Sequence, residues 1–282
     1  MCDQDHFEED LKKYSRRDIG TLAAAGLGAA MMLPRVANAA EVSEQDVEIE
    51  TPDGKCDAYF VSPSTGSHAA VLIWPDIFGL RPAFRQMGKR LAESGYSVLV
   101  VNPFYRQQKA PTAANGANTS ISDVRPLARS LTPETHTTDA KAFVAWLDKQ
   151  SQVDTDKPIG TTGYCMGGPI VFRTAAAVPD RVGAAATFHG GGLVSDGEDS
   201  PHLLIPKMKA DFLIAIAEND DQRDPEAKSV LKESFAEANL DAEIEVYPAG
   251  HGWCPPDTRV HNPEQAEKAW SRMLALFESA LA

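Results

Sequence analysis

Short, uninterrupted apolar runs set between amphipathic stretches constrain this chain more than any other feature. Ala69–Trp74 reads AAVLIW and Ser97–Val101 reads SVLVV. A strand with one wet face alternates apolar and polar residues. A run that is apolar throughout must be covered on both faces, as the strands of a parallel sheet are. Strands are also predicted at Pro158–Thr162, Val182–Phe188, Ala210–Ala217 and Ala242–Tyr247. Val47–Glu50 and Cys56–Val61 read as an opening hairpin across the Pro52-Asp53-Gly54 turn.

Helices are predicted between the strands, over Pro82–Ser94 (closed by Gly95), Glu134–Lys149, Gly168–Val178, Pro225–Ala238 and Asn262–Leu281. Glu134–Lys149 carries Ala140, Phe143, Val144 and Leu147 on one stripe. The closing helix turns Ala266, Ala269, Trp270, Met273, Leu274 and Phe277 inward. Strands alternating with helices predict an α/β fold, a mostly parallel central sheet with helices on both faces. Pro103–Pro133 is long, polar and punctuated by proline. On such a scaffold a stretch of this kind is a lid or a binding segment.

The N-terminus follows another logic. Arg16-Arg17 precedes a weakly apolar run, Ile19–Leu33, and Ala37-Asn38-Ala39 fits a small-residue cleavage site. The run is too short, and too rich in Ala and Gly, for a membrane span. The three parts resemble a twin-arginine (Tat) export signal, although Gly20 stands where Lys is common. Residues 1–39 are therefore expected to be a signal peptide and 40–282 a single α/β domain, exported to the periplasm by the Tat machinery. Cys2 leaves with the leader. Cys56, Cys165 and Cys254 remain, an odd set with at least one unpaired thiol; a Cys56–Cys254 bridge is open. The net charge of −13 argues against nucleic acid or an anionic membrane as partner.

Ligands on parallel sheets bind at the carboxyl ends of the strands, and three candidate segments fall there. The first is Gly163-Tyr164-Cys165-Met166-Gly167-Gly168, the strand–turn–helix context of a nucleophile elbow with Cys in place of Ser. Its glycines let strand and helix approach closely, and a helix N-terminus favours thiolate over thiol. The second is Tyr247-Pro248-Ala249-Gly250-His251-Gly252-Trp253, with His251 as the candidate base. The third is Glu218-Asn219-Asp220-Asp221, where Asp220 or Asp221 would orient the imidazole. Asp224, just before Pro225, reads as a helix cap. Nucleophile, acid and His then follow in the chain order of α/β-hydrolases.

With these segments the chain resembles the dienelactone hydrolase family from about Asp53 to the C-terminus. The resemblance is carried by Trp74-Pro75-Asp76-Ile77-Phe78-Gly79-Leu80, the Cys165 elbow, the Glu218-Asn219-Asp220 turn, Gly250-His251-Gly252-Trp253 and Ala266–Arg272. It implies an α/β-hydrolase fold and a Cys165–His251–Asp220 triad. It also implies an oxyanion hole from the amides of Met166 and Ile77. Asp76, Tyr164, His189 and Trp253 are expected to line the substrate pocket. There are two departures. Relatives with lactone activity have Glu at the position of Asp76, and an Arg four residues after the triad His, where this chain has Pro255. Arg106, Arg125 and Arg129 are the candidates to replace that Arg.

The function expected is hydrolysis of a small carboxylic ester or lactone through a thioester acyl-enzyme. No cofactor is expected, and the histidines show no HxH or HxxxH metal-ligand spacing. The alternative motivated by Asp76 and Pro255 is a non-catalytic exported binding protein on a hydrolase scaffold. A thiol-redox protein is disfavoured, because the chain has no C-x-x-C.

Overall fold

The computed structural model describes residues 33–282. The twin-arginine pair and the apolar run up to Met32 lie outside the described residues. The elements are β1 (Val42–Thr51), β2 (Gly54–Pro63), β3 (Ala70–Trp74), α1 (Pro82–Glu93), β4 (Ser97–Val101), α2 (Ile121–Arg129), α3 (Pro133–Leu147), β5 (Ile159–Tyr164), α4 (Gly167–Ala177) and β6 (Val182–Phe188). A 3-10 turn at Pro201–Lys207 precedes β7 (Asp211–Ala217), α5 (Glu218–Arg223), α6 (Ala227–Glu237), β8 (Ala242–Tyr247) and α7 (Pro263–Ala280).

The eight strands form one sheet in the order β1-β2-β4-β3-β5-β6-β7-β8. β1 pairs antiparallel with β2, and β2 antiparallel with β4; every pairing from β4 to β8 is parallel. This is the mostly parallel sheet that the apolar runs predict, in the α/β-hydrolase-like architecture that the resemblance implies. β3 and β4 are buried at every position, as strands covered on both faces must be. β8, at the sheet edge, carries Glu243 and Glu245, which pair with Arg272 and Lys268 of α7. Charge at an edge discourages pairing with another chain.

The helices bury one apolar cluster on each face of the sheet. One holds Trp74, Phe143, Leu147, Phe172 and Phe212, with Phe172 and Phe212 ring centroids 5.0 Å apart. The other holds Phe84, Leu91, Trp270, Met273 and Phe277. Burying each such side chain stabilises the fold by ~1.5–3 kcal/mol. The inward stripe of α7 is as expected, with Ala269, Trp270, Met273 and Phe277 buried and Ala266 and Leu274 partly so. Among the described residues, no helix is long and apolar enough to cross a membrane.

Two helices differ from the sequence reading. The long segment after β4 contains α2, whose Ser120 cap accepts the amide of Ser122. Nine residues burying only Ile121 and Val124 give too little periodicity to read as a helix. The Glu218-Asn219-Asp220-Asp221 stretch is the start of α5 rather than an open turn. Its residues are all polar, so no apolar stripe marks it. As a result Asp224 ends α5 and does not cap the helix that follows, which starts at Ala227.

Candidate active site

The elbow is built by close backbone approach. β5 ends at Tyr164, and Cys165 follows with φ +53°, a left-handed conformation that costs a non-glycine residue about 1–3 kcal/mol. The Cys165 amide donates to Phe188 O at 3.0 Å, and Gly168 N donates to Cys165 O at 3.0 Å. Strand and helix are so close that a Cβ on Gly163 would sit 2.3 Å from Gly167 O. A Cβ on Gly167 would sit 2.4 Å from Trp74 O. The turn therefore excludes side chains two residues before and two residues after the cysteine. Met166 caps α4, and its side chain packs with Ile77, Phe78, Ala113, Ile121 and Val124. That small cluster joins the elbow to the segment after β4.

The ends of β7 and β8 bring the acid and the histidine together. Glu218 N donates to Ala249 O at 3.1 Å, tying the two strand ends. His251 N donates to Asn219 Oδ1 at 2.8 Å, which fixes the histidine backbone. His251 Nδ1 lies 2.6 Å from Asp220 Oδ2. A carboxylate only accepts, so Nδ1 carries the proton that lies between them. Asp221 turns away to Lys228, with Nζ at 2.6 and 2.8 Å from its two oxygens. Of the two acids left open by the sequence, Asp220 is the one on the imidazole. Asn219 was not singled out in the sequence; nothing in a polar ENDD string marks it.

A cavity of about 330 Å³ opens at the carboxyl ends of the strands, lined by Cys165, His251, Asp220, Asp76, Ile77 and His189 among others. Tyr164 and Trp253, expected in the pocket, do not line it. Tyr164 points from the opposite face of its strand into the core, stacked on Phe188 and edge-on to Phe84. Alternation along a strand explains this: the residue before an inward-facing nucleophile faces the other way. Trp253 is fully buried and stacks on Tyr247, with its edge to His189. It supports the site from behind. The His189 ring centroid is 5.1 Å from that of His251. Among the described residues, neither His189 ring nitrogen has a hydrogen-bond partner. Burial, with the His251 ring adding to it, pushes the His189 pKa well down, so its imidazole is neutral.

Asp76 meets the guanidinium of Arg81 in a two-point contact, Nη1 to Oδ1 at 2.6 Å and Nη2 to Oδ2 at 3.0 Å. Arg81 also grips Asp257, through Nε at 2.7 Å and Nη2 at 2.9 Å, and Nη1 reaches Gly79 O at 3.3 Å. Asp257 in turn accepts the Gly116 amide at 3.0 Å. One buried arginine thus joins the loop after β3, the segment after β4 and the loop after His251. Asp76 Oδ1 also accepts Phe78 N at 2.9 Å, and Gly79 N donates to Asp76 O at 2.9 Å. These bonds fold Asp76–Gly79 into a tight turn that carries Ile77. Desolvation pushes the Asp76 pKa up, with the Asp257 charge acting in the same direction and Arg81 opposing both.

The arginines proposed to replace the missing one after the histidine do not line the cavity. Arg106 is taken by Asp53 and Asp139. Cys56 and Cys254 are buried and unbridged. They belong to apolar clusters on different faces of the sheet, so the open question of a bridge is answered against it.

Comparison with known proteins agrees with this architecture. The profile of the dienelactone hydrolase family matches residues 56–281. The carboxymethylenebutenolidase of Rhodococcus opacus is 30% identical over 227 residues, covering 78% of this chain and 84% of that protein. Among solved structures, a dienelactone hydrolase-like promiscuous phosphotriesterase from metagenomic libraries superposes with a TM-score of 0.71 at 19% identity. The superposition covers 86% of this chain and 99% of that one. The dienelactone hydrolase of Anabaena variabilis gives a TM-score of 0.62 at 17% identity, with 86% and 99% covered.

Proposed function

Because this chain belongs to the dienelactone hydrolase family and is a hydrolase of the ester or lactone type, we propose that it works through Cys165, His251 and Asp220 by way of a thioester. The observation that carries this reading is the 2.6 Å contact of His251 Nδ1 with Asp220, on a histidine that shares one cavity with an elbow cysteine. Asp220 holds the imidazole in the tautomer whose Nε2 accepts a proton, and stabilises the imidazolium once formed.

His251 takes the thiol proton, and the Cys165 sulfur attacks the ester carbonyl. The amides of Met166 and Ile77 stabilise the oxyanion, each worth ~3 kcal/mol of barrier. The tetrahedral intermediate collapses to a thioester as His251 protonates the leaving alcohol. His251 then deprotonates a water that attacks the thioester, and the acid leaves as the sulfur recovers its proton. With a lactone the alcohol stays attached, so a single hydroxy acid is released. Nothing in the site favours a binding protein without turnover.

The test is hydrolysis of p-nitrophenyl butyrate by the purified protein beside Cys165→Ala. Loss of turnover with retained folding supports the reading, and full turnover by the variant rejects it. We further propose export by the twin-arginine pathway with cleavage after Ala39, on the strength of Arg16-Arg17, the apolar run and Ala37-Asn38-Ala39.

A further inference from the structure

The charges around the cavity point to what the site accepts. Among the described residues two cations line it, Arg223 and Lys228. Both are matched by acids: Arg223 Nη1 is 3.4 Å from Asp220 Oδ1, and Lys228 sits on Asp221. Asp76, Asp220 and Asp224 line the same space. Behind Asp76, Arg81 directs its N–H groups to two carboxylates and a carbonyl. One guanidinium between two carboxylates carries a net negative charge, or none if one acid is protonated. It has no positive charge left to offer a ligand. Pro255, four residues after His251, has no charge at all. The remaining wall is largely apolar, including Ile77, Phe78, Ile121, Leu193, Ile216 and Val260.

We propose that the cavity takes uncharged esters or lactones with an apolar acyl group, and that it turns away substrates bearing a carboxylate. The inference rests on the hydrolase reading of the same site. A carboxylate entering this space loses its water, meets three acidic side chains, and gains a cation only by breaking an existing ion pair. A methyl group in the same place loses nothing and covers apolar wall.

The discriminating pair is p-nitrophenyl butyrate and mono-p-nitrophenyl succinate, which differ by a terminal methyl against a carboxylate. For the wild-type protein at neutral pH, kcat/KM should favour the butyrate by about tenfold or more, the scale of one unmatched polar group in a site. Asp221→Asn, which releases the Lys228 ammonium, should narrow that ratio. A succinate ester turned over as well as the butyrate overturns the charge assignment and leaves the hydrolase reading standing. Charge preference is also read without turnover, by protection of Cys165 from iodoacetamide, followed by mass, with the unreactive amides butyramide and succinamate. Butyramide should protect at lower concentration than succinamate, and equal protection overturns the proposal. Full turnover by Cys165→Ala, with the protection ratio intact, identifies a failure of the hydrolase reading alone.

Discussion

Arg81 holds Asp76 in a two-point contact at 2.6 and 3.0 Å, and the same guanidinium grips Asp257 from the loop that follows the candidate base. Asp76 is therefore committed to a structural ion pair. Its shortness relative to glutamate matters less than its partner: the carboxylate is anchored in the turn that carries Ile77.

Arg81→Met should loosen three segments at once. Removing one member of a buried ion network costs about 3–5 kcal/mol, equivalent to a fall in Tm on the order of 10 °C for a domain of this size. Calorimetry checks the stability change. A drop in kcat larger than the rise in KM, on the butyrate ester, checks that the Ile77 amide has lost its placement.

Asp220→Asn should leave the fold intact and lower kcat by roughly 10²–10⁴, because an amide can donate to Nδ1 and hold the wrong tautomer. Asp221→Asn should keep most of the activity on an uncharged ester. Steady-state kinetics of the two variants side by side decide which acid serves the histidine.

Stability should fall on acidification through the histidine range. Burial lowers the His136 pKa from 6.5 to about 3, with the charges of Arg173 and Arg106 contributing. The His189 pKa is also lowered. Between those pH values the unfolded chain binds protons that the folded chain does not. The folded state therefore loses up to about 1.4 kcal/mol per pH unit for each such histidine. His136→Phe should flatten the plot of unfolding free energy against pH by about one proton. An unchanged slope would exclude His136 as a contributor.

Export predicts a mature chain that starts at Ala40. N-terminal sequencing of protein from fractionated cells reads this directly. Arg16→Lys together with Arg17→Lys should leave the uncleaved precursor inside the cell.

The sheet was legible because AAVLIW and SVLVV have few other solutions in a chain of helices and strands. The opening hairpin was legible from Pro52-Asp53-Gly54, although β1 and β2 run further than their apolar cores. At the site, Cys165 was marked by glycines that close backbone approach requires, and His251 by Gly252, whose φ of +97° favours glycine. The choice between Asp220 and Asp221 was less visible. It depends on which acid of one short helix faces the β8 loop, a matter of rotation that adjacent identical residues do not encode. Arg81 and Asp257 lie 176 positions apart, and no local pattern joins them. Tyr164 is next to Cys165 in the sequence but faces the core from the other side of β5, and adjacency does not show that alternation.

The two buried cysteines, Cys56 and Cys254, stand on opposite sides of the sheet, each as a reduced thiol. Burial pushes both thiols upward in pKa, so neither is a nucleophile at neutral pH. Among the described residues no crosslink has to form before the native structure is complete. The shape of this domain then needs no oxidant to be reached, and Cys165 is left as the thiol that lines the cavity.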